Sequence, residues 1–404
     1  MSDSPNCLPR LLCLADVPVE ASYHGSALLY RLLQGYPPDR LRVIETNLVR
    51  STPERRLPSV RYAELRLGPR RPLYTRFSRW YAAWLTFTAG AHAANVSRLL
   101  AGFSPEAVLT VTHGFSWRTA AGLAADKHLP LHLICHDDLP RLGHLPDLFA
   151  AWFDAEFARV YRQAKSRLCV SPFMAETYQA RYGAGGTVLL PSRAADAPVF
   201  TAPPERLGGD AHPFTCVFAG TINALGYVRA LRALADALSP LQGRLLLFGP
   251  LTPEGAARAG LAARNVEVRG LLEPAELIQR CRDEADVLFV PMSFAKADKA
   301  NMQISFPSKV TDYTAMGLPL LIHGPEYSSA VRWARENPGL AEVVDTDDAN
   351  RLAEAIKRLQ GDPQYRTRLA AEAMAVGNRL FSHAVARATF HGALARGRGP
   401  VPRD

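Results

Sequence analysis

The chain has 404 residues, 48% of them hydrophobic and 21% charged, with a net charge of +9 at pH 7. It is too long for one typical domain and long enough for two, each able to bury its own core. The balance is that of a soluble globular protein, and no apolar run approaches the roughly 18 residues that a membrane-spanning helix needs.

The N-terminal stretch MSDSPNCLPRLLCLADVP lacks a basic segment followed by a long apolar one, so no secretory signal is expected. Six cysteines are scattered at 7, 13, 135, 169, 216 and 281. None is spaced for metal binding or redox exchange, and several sit in apolar runs where Cys acts as a small hydrophobe. A reducing cytoplasm is the natural setting.

Strand candidates in the first half are 10–17, 40–46, 59–67, 107–113, 131–137, 166–171 and 187–192. Each is short, apolar and bounded by Pro, Gly or Asp, as buried parallel strands are. Helices fall between most of them, for example 147–164 and 172–182. Between Arg31 and Trp80 there are twelve Arg, no Lys and four acids, a local excess of +8 (12 − 4). Such a field suits nucleic acid, anionic lipid or a phosphorylated substrate, or is simply a solvated surface. No nucleic-acid motif accompanies it, so no nucleic-acid partner is expected. At 73–87 the run LYTRFSRWYAAWLTF spaces Phe77, Trp80 or Tyr81, Trp84 and Phe87 as one helix face. A core-facing stripe is the ordinary reading. An interfacial helix flanked by Arg70, Arg71, Arg76 and Arg79 is the alternative, suited to an anionic membrane or a lipid-linked acceptor.

Residues 196–213 are rich in Pro, Ala and Gly and read as a linker. The second half restarts the rhythm, with strands at 214–220, 244–249, 265–270, 285–291, 318–324 and 341–345. Helices are expected at 226–238, 253–263, 274–283, 308–316, 326–336 and 349–360. The division is an N-terminal domain 1–195, a linker, a C-terminal domain 214–380, a helix 381–396 that returns to the first domain, and a disordered tail 397–404. Two doubly wound sheets imply a cleft faced by strand carboxyl ends, where open α/β sheets bind ligands.

The densest chemistry lies in FPSKVTDYTAMGLPLL (306–321). Ser308 is placed to cap a helix, whose N-terminus attracts anions. Lys309 in the first turn opposes the helix dipole and makes more sense if a phosphate arrives. Asp312, one turn on, suits a ribose diol. A capped surface helix with one Lys and one Asp is the other reading of this stretch.

Pro307, Ser308, Lys309, Asp312, Tyr313, Ala315, Gly317 and Pro319 together resemble the donor-sugar motif of GT-B glycosyltransferases, most closely the large retaining family known as family 4 or group 1. That resemblance implies a GT-B fold of two Rossmann-like domains facing across a cleft. It implies transfer from a nucleoside-diphosphate sugar to a glycan or lipid-linked acceptor, with no cofactor and no obligatory metal. Envelope or exopolysaccharide synthesis follows by association, in the cytoplasm or at the inner face of a membrane.

By the same resemblance Gly220, Thr221 and Asn223 form the diphosphate loop, although the family's usual basic residue is absent there. Residues 248–251 and 269–277, including Leu271, would line the base. Gly25 belongs to a glycine loop after the first strand, where His24 replaces a second glycine. His136 ends a strand in LICHDDLP and would contact sugar or acceptor; Asp137 would orient it and Asp138 would bind acceptor. His113 is a second acceptor candidate. The family's first donor-site glutamate falls on Ile304, and 293–303 would be a mobile donor loop or a plain surface loop. That loss keeps two alternatives open: a nucleotide-sugar epimerase on the same scaffold, and a non-catalytic GT-B module.

Overall fold

A computed structural model describes residues 8–21, 26–208, 213–222 and 224–395. Gly25, His24 and Asn223 lie outside the described residues.

The chain divides into two compact units, one built from the chain up to Leu190 plus the chain from His383 onward, the other Pro191–Ser382. The first carries β1 (Leu11–Ala15), β2 (Leu41–Thr46), β3 (Arg61–Leu65), β4 (Ala107–Val111), β5 (Leu131–Cys135), β6 (Ser166–Cys169) and β7 (Thr187–Val188). The second carries β8 (Thr215–Ala219), β9 (Arg244–Phe248), β10 (Val266–Gly270), β11 (Val287–Pro291), β12 (Leu320–His323) and β13 (Ala341–Val344). All thirteen coincide with strands expected from the sequence.

Both sheets are parallel. Their orders are β3-β2-β1-β4-β5-β6-β7 and β10-β9-β8-β11-β12-β13. Burial follows that order. β1, β4, β5, β8 and β11 are buried at every residue, because helices cover both faces of a parallel sheet. The edge strand β10 has no fully buried residue, which is why VEVRG mixes apolar and charged side chains. In each unit the strand order reverses beside the first strand, between β1 and β4 and between β8 and β11. Ligands of open α/β sheets bind at the carboxyl ends near such a point.

The C-terminal helix His383–Ala395 belongs to the first unit. Phe390 and Leu394 enter that unit's core. The His383 ring nitrogen Nε2 lies 2.9 Å from the Arg31 carbonyl, which ends the helix Ser26–Leu33.

Three local expectations are corrected. The helix Ser78–Thr88 does not turn its aromatics inward: Ala82, Ala83, Leu85 and Thr86 are buried, whereas Phe77, Trp80, Trp84 and Phe87 are exposed. Segment 293–303 is not a plain loop but carries a short turn at Lys296–Asp298 and the start of the helix Lys299–Ile304. The helix at 308–316 is only Lys309–Tyr313, and Ser308 makes no side-chain cap. The chain already turns at Pro307, whose carbonyl accepts from Val310 N at 3.0 Å, so Ser308 is helical rather than extended. The sequence reading also omits the 18-residue helix Pro363–Leu380, although Asp362 caps it through Tyr365 N at 2.8 Å and Pro363 opens it.

Candidate functional site

In the second unit, three glycines end three adjacent strands. Gly220 follows β8 with φ +150°, Gly249 follows β9 with φ +145°, and Gly270 closes β10 with φ +74°. Their backbones are linked: Gly220 N–H donates to the Phe248 carbonyl at 2.9 Å, and Gly249 N–H donates to the Gly270 carbonyl at 2.8 Å. The Gly220 N–H is therefore committed to the sheet, not to a diphosphate as expected. Glycine is called for there by its φ of +150°, and a Cβ would only touch the Lys309 side chain, at 3.4 Å. Thr221 follows, partly buried, and Leu271 lies exposed just past β10.

Lys309 sits over this shelf. Its Nζ lies 5.0 Å from the Phe218 ring and 5.3 Å from the Tyr227 ring. Burial lowers its pKa from 10.5 to about 8, and no acidic group among the described residues offsets that loss. One turn on, the Tyr313 hydroxyl accepts from Ala219 N at 2.7 Å and donates to the Ala219 carbonyl at 3.2 Å. This buried tyrosine ties the helix carrying Lys309 to the end of β8. Gly317 ends the turn at φ +67°, where a Cβ would meet the Met374 sulfur at 2.7 Å. Asp312 is partly exposed; burial lowers the pKa of the half-buried Arg193, and the Asp312 charge opposes that shift. Ser308 is exposed beside Lys309. Ile304 is only 2% exposed, a core residue where the family places a carboxylate.

The first unit gathers a second group at the carboxyl ends of β4 and β5. His113 Nδ1 lies 3.9 Å and His136 Nε2 3.8 Å from the same Asp137 oxygen. The two rings meet edge to face at 5.5 Å. Neither of those ring nitrogens has a protein hydrogen-bond partner, although both are buried. The His136 pKa is lowered by burial, with Asp137 opposing and His113 adding to the shift. His136 is therefore neutral at pH 7 and offers a lone pair or an N–H. The three ligand atoms lie within 4.8 Å of one another, so the group has the donor chemistry for a divalent metal as well as for sugar hydroxyls.

Asp138 does not join that group. It is fully buried, and its two oxygens accept from Arg181 at 2.8 and 3.1 Å. Tyr178 adds a bond at 3.3 Å. An acceptor-binding role does not fit a carboxylate so enclosed; it is an anchor for the loop that carries His136 and Asp137.

Sequence reasoning missed Asp16, at the carboxyl end of β1. Its Oδ2 accepts from Phe115 N and Ser116 N at 2.6 Å each, and its Oδ1 accepts from Thr46 Oγ1 at 2.9 Å. It caps the helix Ser116–Asp126 and so fixes the turn after His113. The signal was invisible because the partners are 99 and 100 residues away. Gly114 in that turn has φ +61°, and a Cβ would come within 2.7 Å of the Asp16 carboxylate. Gly114→Ala should therefore cost about 2–3 kcal/mol, read as a lower urea midpoint with unchanged slope.

No protein-family model and no curated protein sequence matches the chain. Solved structures do. The Anabaena protein HepE in complex with UDP and glucose aligns with a TM-score of 0.66 and 15% identity, over 96% of this chain and 99% of that one. The sucrose-phosphate synthase of Thermosynechococcus elongatus aligns with a TM-score of 0.69 and 16% identity, over 96% and 98%. The lipopolysaccharide outer core galactosyltransferase WaaB aligns with a TM-score of 0.60 and 15% identity, over 95% and 98%. Likeness at such identity speaks for architecture, and with the two doubly wound parallel sheets it establishes that this chain has the GT-B fold.

Proposed function

We propose that the chain is a retaining glycosyltransferase. It moves a sugar from a nucleoside-diphosphate sugar to a hydroxyl of a glycan or lipid-linked acceptor, in polysaccharide or glycolipid synthesis. The observation that carries this reading is Lys309, a half-buried cation beside the Phe218 and Tyr227 rings and the turn at Gly220, with no acidic group among the described residues to balance it. A half-buried charge without a counterion is favoured by a ligand that supplies one. A diphosphate is that ligand. Fold relatives support it, HepE having been solved with UDP and with UDP-glucose.

In this reading the second unit holds the donor. Gly220 and Thr221 bring the main chain near the diphosphate, and Ser308 offers it a hydroxyl. Lys309 stabilises the charge that grows on the leaving group as the bond from the anomeric carbon to the diphosphate breaks. Asp312 takes the ribose hydroxyls, and Leu271 with residues 248–251 borders the base. The first unit supplies His136, whose neutral ring accepts or donates a hydrogen bond to a sugar or acceptor hydroxyl. Asp137 orients it and His113 widens the same patch. The acceptor oxygen forms the new bond to the anomeric carbon, and its proton passes to the departing diphosphate. No cofactor is invoked, and the setting is the cytoplasm or the inner face of a membrane.

Thermal unfolding with UDP-, GDP- and dTDP-sugars tests the proposal. Ligand at a hundredfold excess over its dissociation constant should stabilise by about 2.7 kcal/mol. No response to any nucleotide sugar would overturn it. Ile304 favours a second reading, a donor-binding module without turnover, because its buried side chain offers no bond to the sugar. Donor binding with no transfer across a broad acceptor panel would select that reading. An epimerase would instead convert the donor with no acceptor present.

A further inference from the structure

The helix Ser78–Thr88 is amphipathic in the reverse of the usual sense. Its inward face is made of Ala82, Ala83, Leu85 and Thr86. Its outward face presents Phe77, Trp80, Trp84 and Phe87, which are 57%, 56%, 48% and 44% exposed. Neighbouring segments extend the patch with Tyr74 at 70% and Leu148 at 65%. Large apolar side chains exposed side by side mark an interaction surface, whereas single ones need no explanation.

Positive charge dominates around the patch, where Asp147, paired with Arg79, is the acid beside Leu148. No Asp or Glu occurs between Glu64 and Glu106, while Arg66, Arg70, Arg71, Arg76 and Arg79 all fall before or within the helix. Arg70 and Arg76 lean over aromatic rings of the patch, Tyr74 at 5.3 Å and Phe77 at 4.9 Å. Arg70, Arg71 and Arg76 are exposed at its rim. Arg79 is tied to the Leu145 carbonyl at 2.9 Å and to Asp147.

We propose that this face is a docking surface for an anionic lipid bilayer. Trp and Phe enter the boundary between headgroups and acyl chains, and Arg71 and Arg76 pair with lipid phosphates. Two observations favour a bilayer over single-stranded nucleic acid, which also takes aromatics and arginines. The rings pack on one another, Trp84 on Tyr81 at 5.4 Å and Phe87 on Trp152 at 4.2 Å, making a continuous apolar slab rather than separate stacking platforms. Indole rings beside arginines are also the residue pair enriched at membrane interfaces. Charge complementarity favours lipid over a second copy, since two such faces would bring like charges together. The surface goes beyond the proposed transfer reaction and does not depend on it.

Sedimentation of the full chain with vesicles of phosphatidylglycerol and phosphatidylcholine tests the proposal without donor or acceptor. The protein should pellet with mixed vesicles, not with phosphatidylcholine alone, and should release at high salt. Trp80→Ser with Trp84→Ser, and separately Arg71→Gln with Arg76→Gln, should each weaken partitioning by about tenfold or more. All four positions are exposed, so folding and the donor-induced thermal shift should be unchanged. Failure to bind anionic vesicles would overturn the proposal, as would binding that both pairs leave intact. Loss of dimerisation or of oligonucleotide binding in these variants, with no effect on vesicles, would also overturn it. A normal donor shift in a protein that ignores vesicles would leave the transferase reading standing.

Discussion

Lys309→Met should abolish most glycosyl transfer and yet make the free protein more stable. Both effects follow from one fact. The ammonium is half-buried, its pKa is lowered to about 8, and burial is the cause, with no acidic group among the described residues offsetting it. Methionine keeps the aliphatic stem against Phe218 and Tyr227 and removes the charge. A shift of this size corresponds to up to about 3 kcal/mol of disfavoured protonation. Subtracting the lost attraction to the two rings leaves a gain of about 1–2 kcal/mol at pH 7, measurable by urea unfolding. Transfer should fall by about 10²–10³, the usual cost of removing one group that stabilises transition-state charge.

The pH dependence has a defined sign. Between about 8 and 10.5 the unfolded chain binds the Lys309 proton more than the folded chain does. Stability of the free protein should therefore rise with pH through that window, and the Met variant should lose this rise. Donor affinity should run the other way. Only the ammonium pairs with a diphosphate, so binding to the native protein should weaken as pH passes about 8. A methionine variant with native activity, or one without the stability gain, would remove Lys309 from the role assigned to it.

The two sheets were legible because parallel strands buried on both faces are written as unbroken apolar runs, and LLCLA, AVLTV and VLFVP need no partner to be read. The turn that carries Lys309 was legible for a related reason: Lys309, Tyr313 and Gly317 lie within one turn and its end, so their spacing is local. Even there the cap at Ser308 was misplaced, because Pro307 starts the turn one residue earlier. The aromatic helix was read ambiguously because periodicity marks a face without saying which way it points. Four large rings at helical spacing ordinarily face a core, but here the opposite face is small enough for the helix to pack closely through Ala82 and Ala83. Asp16 and Asp138 were illegible in kind, since a carboxylate's role depends on donors that the fold delivers from far along the chain.

Asp138 permits a sharp test of that last point. Arg181→Ala should destabilise the chain by about 3–5 kcal/mol, because it strands a fully buried carboxylate whose two oxygens it had bonded. Burial works against the Arg181 charge, and its bonds to Asp138 and Tyr182 outweigh that cost, so its pKa is raised. Removing both partners should be milder than removing one. Asp138→Asn with Arg181→Met takes away both charges, and its loss should be smaller than that of Arg181→Ala alone. The consequence for function separates two roles. If Asp138 only anchors the loop, the double variant should keep its acceptor KM within a few-fold once folded, while Asp137→Ala should raise it. An acceptor KM that rises with Asp138→Asn to the same degree as with Asp137→Ala, at unchanged stability, would return Asp138 to the acceptor site. Unchanged stability in Arg181→Ala would show that the ion pair does not anchor the loop. The distinction matters because His136, Asp137 and Asp138 are consecutive at one strand end, yet the fold gives the first two a shared open edge and buries the third.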